Sequence, residues 1–148
     1  MSARIPLWSR LIAALTHRLR PRPAEVDARH ALGRWGEGVA ERRLIDLGMR
    51  IVARRYRTPF GELDLVALDG ETLVFVEVKT QSSRAASDPE QRLTPEKRAR
   101  LSRAVSAFRA QRRWSARVCR FDLVTVVGEP GELADVAHYP DVFVPSRA

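Results

Sequence analysis

Two alternating apolar runs joined by one short polar connection constrain this chain more than any other feature. Gly61-Glu62-Leu63-Asp64 begins the first run, and Val76-Glu77-Val78-Lys79-Thr80 ends the second. A period of two is the signature of strands with distinct faces. Glu62–Leu68 and the run from Leu73 to Lys79 are therefore expected to form a hairpin through Asp69-Gly70-Glu71-Thr72. In the first strand Leu63, Leu65 and Ala67 share one face, opposed to Glu62, Asp64, Val66 and Leu68. In the second, Leu73, Phe75, Glu77 and Lys79 are opposed to Val74, Val76 and Val78.

Register decides whether the polar groups meet. A four-residue loop from Asp69 to Thr72 pairs Leu68 with Leu73, and counting back sets Asp64 opposite Glu77 and Glu62 opposite Lys79. A two-residue loop shifts this by one pair along the same face. An odd loop inverts one strand and separates the acids. With an even loop, Asp64 and Glu77 can offer hard oxygen ligands to Mg²⁺, which keeps several waters and needs only one or two carboxylates. Such an ion activates water for attack on a phosphodiester and stabilises the developing charge, with Lys79 helping to orient or deprotonate that water. Lysine suits the post because its ammonium can shift its pKa where a guanidinium cannot. A salt bridge at a strand end would explain Glu77-x-Lys79 equally well, since that motif alone is weak.

The flanking sequence supplies helices. Leu32, Trp35, Val39, Leu44 and Leu47 recur at roughly helical spacing from near His30, with Gly48 placed for a left-handed C-terminus. Gly33, Gly36 and Gly38 interrupt that helix and point to close backbone contact or a late start. Arg50 to Arg57 reads as an edge strand whose arginines, Arg55 and Arg57 among them, blunt pairing or face an anion. Gln81 to Arg92 lacks periodicity and reads as a mobile loop. Thr94-Pro95-Glu96 then starts a helix running to about Trp114, with Leu101, Ala104, Val105 and Phe108 buried. Val118 to Val127 is a buried strand reached by crossover, hence parallel to the strand before that helix. Val142-Phe143-Val144 is expected to form a last short strand.

Charge narrows the partner. The chain has 26 Lys and Arg residues against 18 Asp and Glu, a net charge of +8 over 148 residues. Nine basic residues and no acidic one lie between Lys97 and Arg120. Lys97, Arg98, Arg100 and Arg103 on the second helix, with Arg55 and Arg57, make a candidate phosphate-binding face. Only Lys79 and Lys97 are lysines. The single cysteine, Cys119, excludes an internal disulfide framework and a cysteine zinc cluster, and it fits a reducing cytoplasm. His17, His30 and His138 show no ligand spacing and are read as incidental. Residues 1–29 form a basic extension ahead of a domain at 30–148. Its apolar patch is split by Arg10 and is too short to span a bilayer, so stable membrane insertion is not expected; a loose extension is preferred over a helix that touches membrane or nucleic acid.

Gly33-x-x-Gly36-Glu37, Gly61-Glu62-Leu63-Asp64, Phe75-Val76-Glu77-Val78-Lys79-Thr80, Lys97 and Arg120-Phe121-Asp122 resemble the YraN-type family of small bacterial proteins. That family is similar to the PD-(D/E)xK nucleases and, among them, to archaeal Holliday-junction resolvases. The resemblance covers about Ala31 to Val144. It implies an α/β, restriction-endonuclease-like αβββαβ core, a mixed sheet flanked by helices. It also implies that Asp64, Glu77 and Lys79 are catalytic with Asp64 and Glu77 on the metal, and that Glu37 joins them from the first helix. Glu62 and Gln81 stand behind that set. Arg55 departs from the usual asparagine, and Gln81 from the usual arginine after Lys-Thr. Two function classes follow. One is a nuclease using one or two Mg²⁺ or Mn²⁺ ions on branched or structured DNA, for which the junction-cutting relatives provide the analogy of a homodimer. The other is a nucleic-acid-binding module with a vestigial site.

Overall fold

The computed structural model describes residues 23–82 and 93–145. The chain divides into two compact units, Met1–Ala31 and Leu32–Ala148. Of the first, only the beginning of a helix is described; most of the basic extension and of the expected loop at 81–92 lies outside the described residues. Helix α1 spans Pro23–Asp46, followed by β1 at Arg50–Thr58, β2 at Gly61–Asp69 and β3 at Thr72–Gln81. Helix α2 at Pro95–Gln111 leads to β4 at Cys119–Val127 and β5 at Asp135–Phe143. This is the α/β order of a restriction-endonuclease-like core with one further strand.

The five strands lie in sequence order, antiparallel except for the parallel β3–β4 pair. A helix between β3 and β4 makes parallel pairing possible, because parallel neighbours need a long crossover. Each sheet face has its own core. Ala40 and Leu44 of α1 pack with Leu65, Ala67, Val74, Val76, Val124 and Val126, while Leu101, Ala104, Val105 and Phe108 of α2 pack with Val66, Leu68, Leu73, Phe75 and Phe121. The aromatic rings of Tyr56, Phe75 and Trp114 all meet Phe108 edge-on.

Helix ends follow their local chemistry. Thr94 accepts from the Lys97 amide at the start of α2, with Pro95 in the first turn. At the end of α1, Gly48 has φ +88, its amide donates to Ile45 O, and the Met49 amide donates to Leu44 O. That is a Schellman arrangement, with Met49 and Leu44 in one apolar cluster. The helix begins at Pro23 rather than near His30, and Leu47 lies beyond its end, 44% exposed, instead of continuing the buried stripe.

Gly36 is where α1 approaches β3. A Cβ built there would stand 1.9 Å from Thr80 Oγ1. Gly36→Ala is therefore expected to cost about 1–3 kcal/mol in urea denaturation, as overpacking does, and Thr80→Ala in the same chain should recover part of it, because the Thr80 Cβ, 2.8 Å away, remains. No such rescue would mean that the contact does not set the helix position.

The hairpin departs from its expected form in three ways. Asp69 and Thr72 join the ladder, so the turn has two residues, yet Leu68 still pairs with Leu73 and no shift follows. The β2–β3 ladder stops at Leu65–Val76, and Glu62 pairs with Arg57 of β1 instead of facing Lys79. Leu63 packs with the α2-side cluster and not with Leu65 and Ala67. The last two changes fall beside Arg55, which has φ +46 in the middle of β1. A left-handed residue twists the strand locally, and here it rolls the end of the hairpin around α2. Asparagine, the residue that the resemblance leads one to expect here, tolerates that conformation better than arginine.

The last strand is longer than the sequence indicates. Beyond Val142-Phe143, Asp135–Tyr139 also pairs with β4, whereas Val144 falls outside the strand.

Candidate functional site

Glu77 and Lys79, two residues apart on β3, leave the strand on the same side. Glu77 is 8% exposed, and a carboxylate so buried must be paired. Its Oε1 accepts from Lys97 Nζ at 2.5 Å and lies 3.0 Å from Lys79 Nζ. The two lysines of an otherwise arginine-bearing chain thus meet on one oxygen. Lys97 was expected on the phosphate-binding face; the packing of α2 against the sheet brings it into the acid cluster. The signal for this was in the composition, since a chain with 26 cations uses lysine only twice.

Burial pushes the Glu77 pKa up, but Lys97 and Lys79 outweigh it and hold it below the usual glutamate value. Burial lowers the Lys97 pKa, helped by the neighbouring Lys79 ammonium and opposed by Glu77. Lys79 is also disfavoured by burial, yet Glu77 holds its proton and leaves its pKa raised.

Asp64 sits one residue past the end of the β2–β3 ladder, and its carboxylate replaces the missing backbone partner: Oδ2 accepts from the Val78 amide at 2.8 Å. Burial, and then repulsion from Glu77, push its pKa up to about 7 despite that hydrogen bond. Asp64 thus lies within electrostatic reach of Glu77.

The remaining acids and bases form a chain along β1. Arg55 Nε lies 3.4 Å from Glu62 Oε1 and 3.8 Å from Glu37 Oε2, and Arg57 Nε lies 3.3 Å from Glu62 Oε2. Burial raises the Glu37 pKa, while Arg55 opposes it. Glu37 and Glu62 are thus tied to arginines of β1, and Glu37 reaches Asp64 and Glu77 through charge. Gln81 ends β3, its carbonyl accepting from the Gly128 amide. Arg98 donates to the Leu93 carbonyl and lies over the Phe143 ring, apart from Arg100 and Arg103, which approach the β1–β2 turn.

The donor set suits a hard divalent cation. One oxygen of Asp64 is taken by a backbone amide and one of Glu77 by ammonium groups. Among the described residues no three His, Cys, Asp or Glu side chains converge on one point. An ion here would rest on Asp64 and Glu77 and complete its shell with water, as Mg²⁺ commonly does. A groove of about 610 Å³ lies elsewhere, lined by Arg34, Trp35, Arg42, Arg43, Val136 and neighbouring residues.

Residues 36–126 match the model of Uncharacterised protein family UPF0102. The chain belongs to this family. It is 48% identical to a UPF0102 protein of Beutenbergia cavernae over 111 residues, covering 75% of this chain and 94% of that one. It is 44% identical to one from Nitratidesulfovibrio vulgaris, strain DP4, covering 80% and 87% of the two chains. It is 41% identical to one from Nocardia farcinica, covering 81% and 94%. The family match takes in Glu37, Asp64, Glu77, Lys79 and Lys97 and ends inside β4. Among the described residues no helix is long and apolar enough to cross a membrane.

Sequence reasoning singled out Arg120 and Asp122 as part of a motif but missed the polar cluster they form. Asp122, fully buried on β4, accepts from Arg120 Nε at 3.0 Å and from the Asp141 amide at 2.9 Å, and His138 Nε2 stands 2.8 Å from its Oδ2. Arg120 continues to Asp69 Oδ2 at 2.9 Å. His138, read as incidental, is part of a buried network that fastens β5.

Proposed function

We propose that this protein is a Mg²⁺- or Mn²⁺-dependent nuclease acting on branched or otherwise structured DNA. The observation that carries the reading is the gathering of Asp64, Glu77, Lys79 and Lys97 where the β2–β3 ladder opens. In this reading Asp64 and Glu77 hold the ion. The ion supplies positive charge to the phosphate and lowers the pKa of water. Lys97, 19% exposed at its side chain, fixes the Glu77 carboxylate and acts as a positioning residue. Lys79, 35% exposed, stays open enough to donate to a phosphate oxygen while it borders Glu77. The basic face of α2 attracts the backbone independently of sequence.

The second reading is a nucleic-acid-binding module without cleavage. It is favoured by the same Glu77 oxygen, whose charge is already balanced by two ammonium groups.

Cleavage of duplex, single-stranded and four-way-junction DNA with Mg²⁺, Mn²⁺ or EDTA separates the two. The nuclease reading expects metal-dependent cleavage that falls by at least about 10²-fold in Lys79→Ala. Lys97→Ala is expected to lose about 10- to 100-fold and to need more metal for half-maximal rate, as loss of a group supporting a ligand does. Salt-sensitive binding with no cleavage by the wild type under any of these conditions would leave the binding module standing.

A further inference from the structure

We propose that Phe60 and Arg103 form a stacking platform for an unpaired nucleobase, so that the preferred nucleic acid carries unstacked nucleotides beside its reactive phosphate. The inference rests on the nucleic-acid reading above and names the substrate feature that the site selects.

Three α2 side chains at intervals of three residues connect the carboxylates to the β1–β2 turn. Lys97 holds Glu77. Arg100 lies along Gly61, its Nε and Cδ 3.9 and 4.0 Å from where a Cβ would stand. The Arg103 guanidinium carbon lies over the Phe60 ring, 5.5 Å from its centroid. At 1.5 Å rise per residue, Lys97 to Arg103 covers about 9 Å along the helix. Along β2, Asp64 and Gly61 are three residues apart, about 10 Å at strand rise, and Phe60 is the next residue, in the turn. These spans match roughly two to four stacked nucleotides at about 3.4 Å each. A backbone following the cations past the carboxylates therefore brings a nearby base to Phe60.

The ring is held ready for such a contact. Thr58 Oγ1 accepts from the Phe60 amide at 3.1 Å and donates to Gly61 O at 2.8 Å, and Gly61 has φ +132, which favours glycine. The turn is thus shaped by its own residues, while Phe60 is 41% exposed. An exposed phenylalanine alone needs no explanation. One placed under a guanidinium, at the end of a cationic row that starts in an acid site, presents both components of base stacking: an aromatic face and a planar cation.

The test is equilibrium binding in EDTA, where no cleavage intervenes, of blunt duplex, single-stranded and forked or gapped DNA. Phe60→Ala is expected to weaken binding of the single-stranded and forked DNA by about 5- to 150-fold, the usual loss for one stacked base, and of blunt duplex by less than about twofold. Phe60→Trp should retain the preference, and an abasic nucleotide at one position of the fork should abolish it in the wild type and have no further effect in Phe60→Ala, where it is already lost. Equal effects on all DNAs, or none, would overturn the platform. So would sedimentation showing that Phe60→Ala dissociates a dimer while its DNA preference is kept, because the ring would then serve a protein interface. Absence of DNA binding by the wild type would remove the parent reading as well; wild-type binding indifferent to Phe60 would remove only this one.

Discussion

Asp64→Asn is expected to abolish cleavage, by at least about 10³-fold, and at the same time to make the metal-free protein more stable at pH 8. The two effects have one cause. Asp64 titrates near 7 in the folded chain because burial and Glu77 oppose its charge, against an ordinary aspartate value of 3.8. Between these two values the folded protein keeps a proton that the unfolded chain has released. Stability therefore falls as pH rises through this window, and the full cost is present above about pH 7. Asparagine carries no charge, yet its side-chain oxygen can still accept from the Val78 amide. The variant should flatten the decline and melt about 3–8 °C higher at pH 8, the shift that corresponds to about 1–2 kcal/mol in a domain of this size. Mg²⁺ should raise the melting temperature of the wild type, because a ligand that binds only the folded state stabilises it, and leave the variant unmoved. Calorimetry across pH 4 to 9, with and without Mg²⁺, checks the whole set. A variant less stable than the wild type at pH 8 would show that the Asp64 charge is satisfied without metal. Cleavage surviving in the variant would remove Asp64 from the site.

The parts of the fold legible in the sequence are those in which one periodicity governs both faces of an element. The Leu68–Leu73 register, the Leu101–Phe108 stripe, the Thr94 cap and the left-handed Gly48 follow from local alternation and from residues with few conformational alternatives. β5 was legible only at Val142-Phe143 because it is an edge strand containing Asp135, His138, Pro140 and Asp141 with no fully buried residue, and a strand with no fully covered face carries little apolar alternation. Leu63 and Glu62 were misplaced because the alternation rule assumes a regular strand, and Arg55 has a left-handed backbone.

The candidate site divides in the same way. Glu77 and Lys79 are neighbours on one strand, so their common side could be counted. Lys97 is twenty residues away on a helix, and only the packing of Leu101 and Val105 under the sheet decides that its ammonium reaches Glu77 rather than solvent. The rarity of lysine and the place of Lys97 in the family motif were the traces of that contact in the sequence.

Asp122→Ala is expected to cost about 3–5 kcal/mol, the largest stability loss of any single change considered for this chain. Asp122 is fully buried, and its two oxygens serve Arg120, His138 and the Asp141 amide. Removing it leaves a buried backbone N–H without its acceptor and the Arg120 guanidinium with Asp69 alone, and breaking a buried pair by removing one partner costs more than the intact pair contributes. The loss is large against the roughly 5–15 kcal/mol that holds a typical domain together. Asp122→Asn should cost less, since one oxygen remains for the Asp141 amide or for Arg120, although the charge is gone. The family match includes Arg120 and Asp122 but neither His138 nor Asp141, so half of the network comes from a strand beyond it. His138→Ala should therefore loosen β5 before the rest of the sheet. Hydrogen exchange is expected to quicken first at Val136 to Tyr139, while β2 and β3 stay protected. Urea midpoints for the three variants, read beside that exchange pattern, test the account. A cost below about 1 kcal/mol for Asp122→Ala would mean that water replaces the carboxylate and that β5 is held by Phe121 and Phe143, whose rings stack 4.6 Å apart.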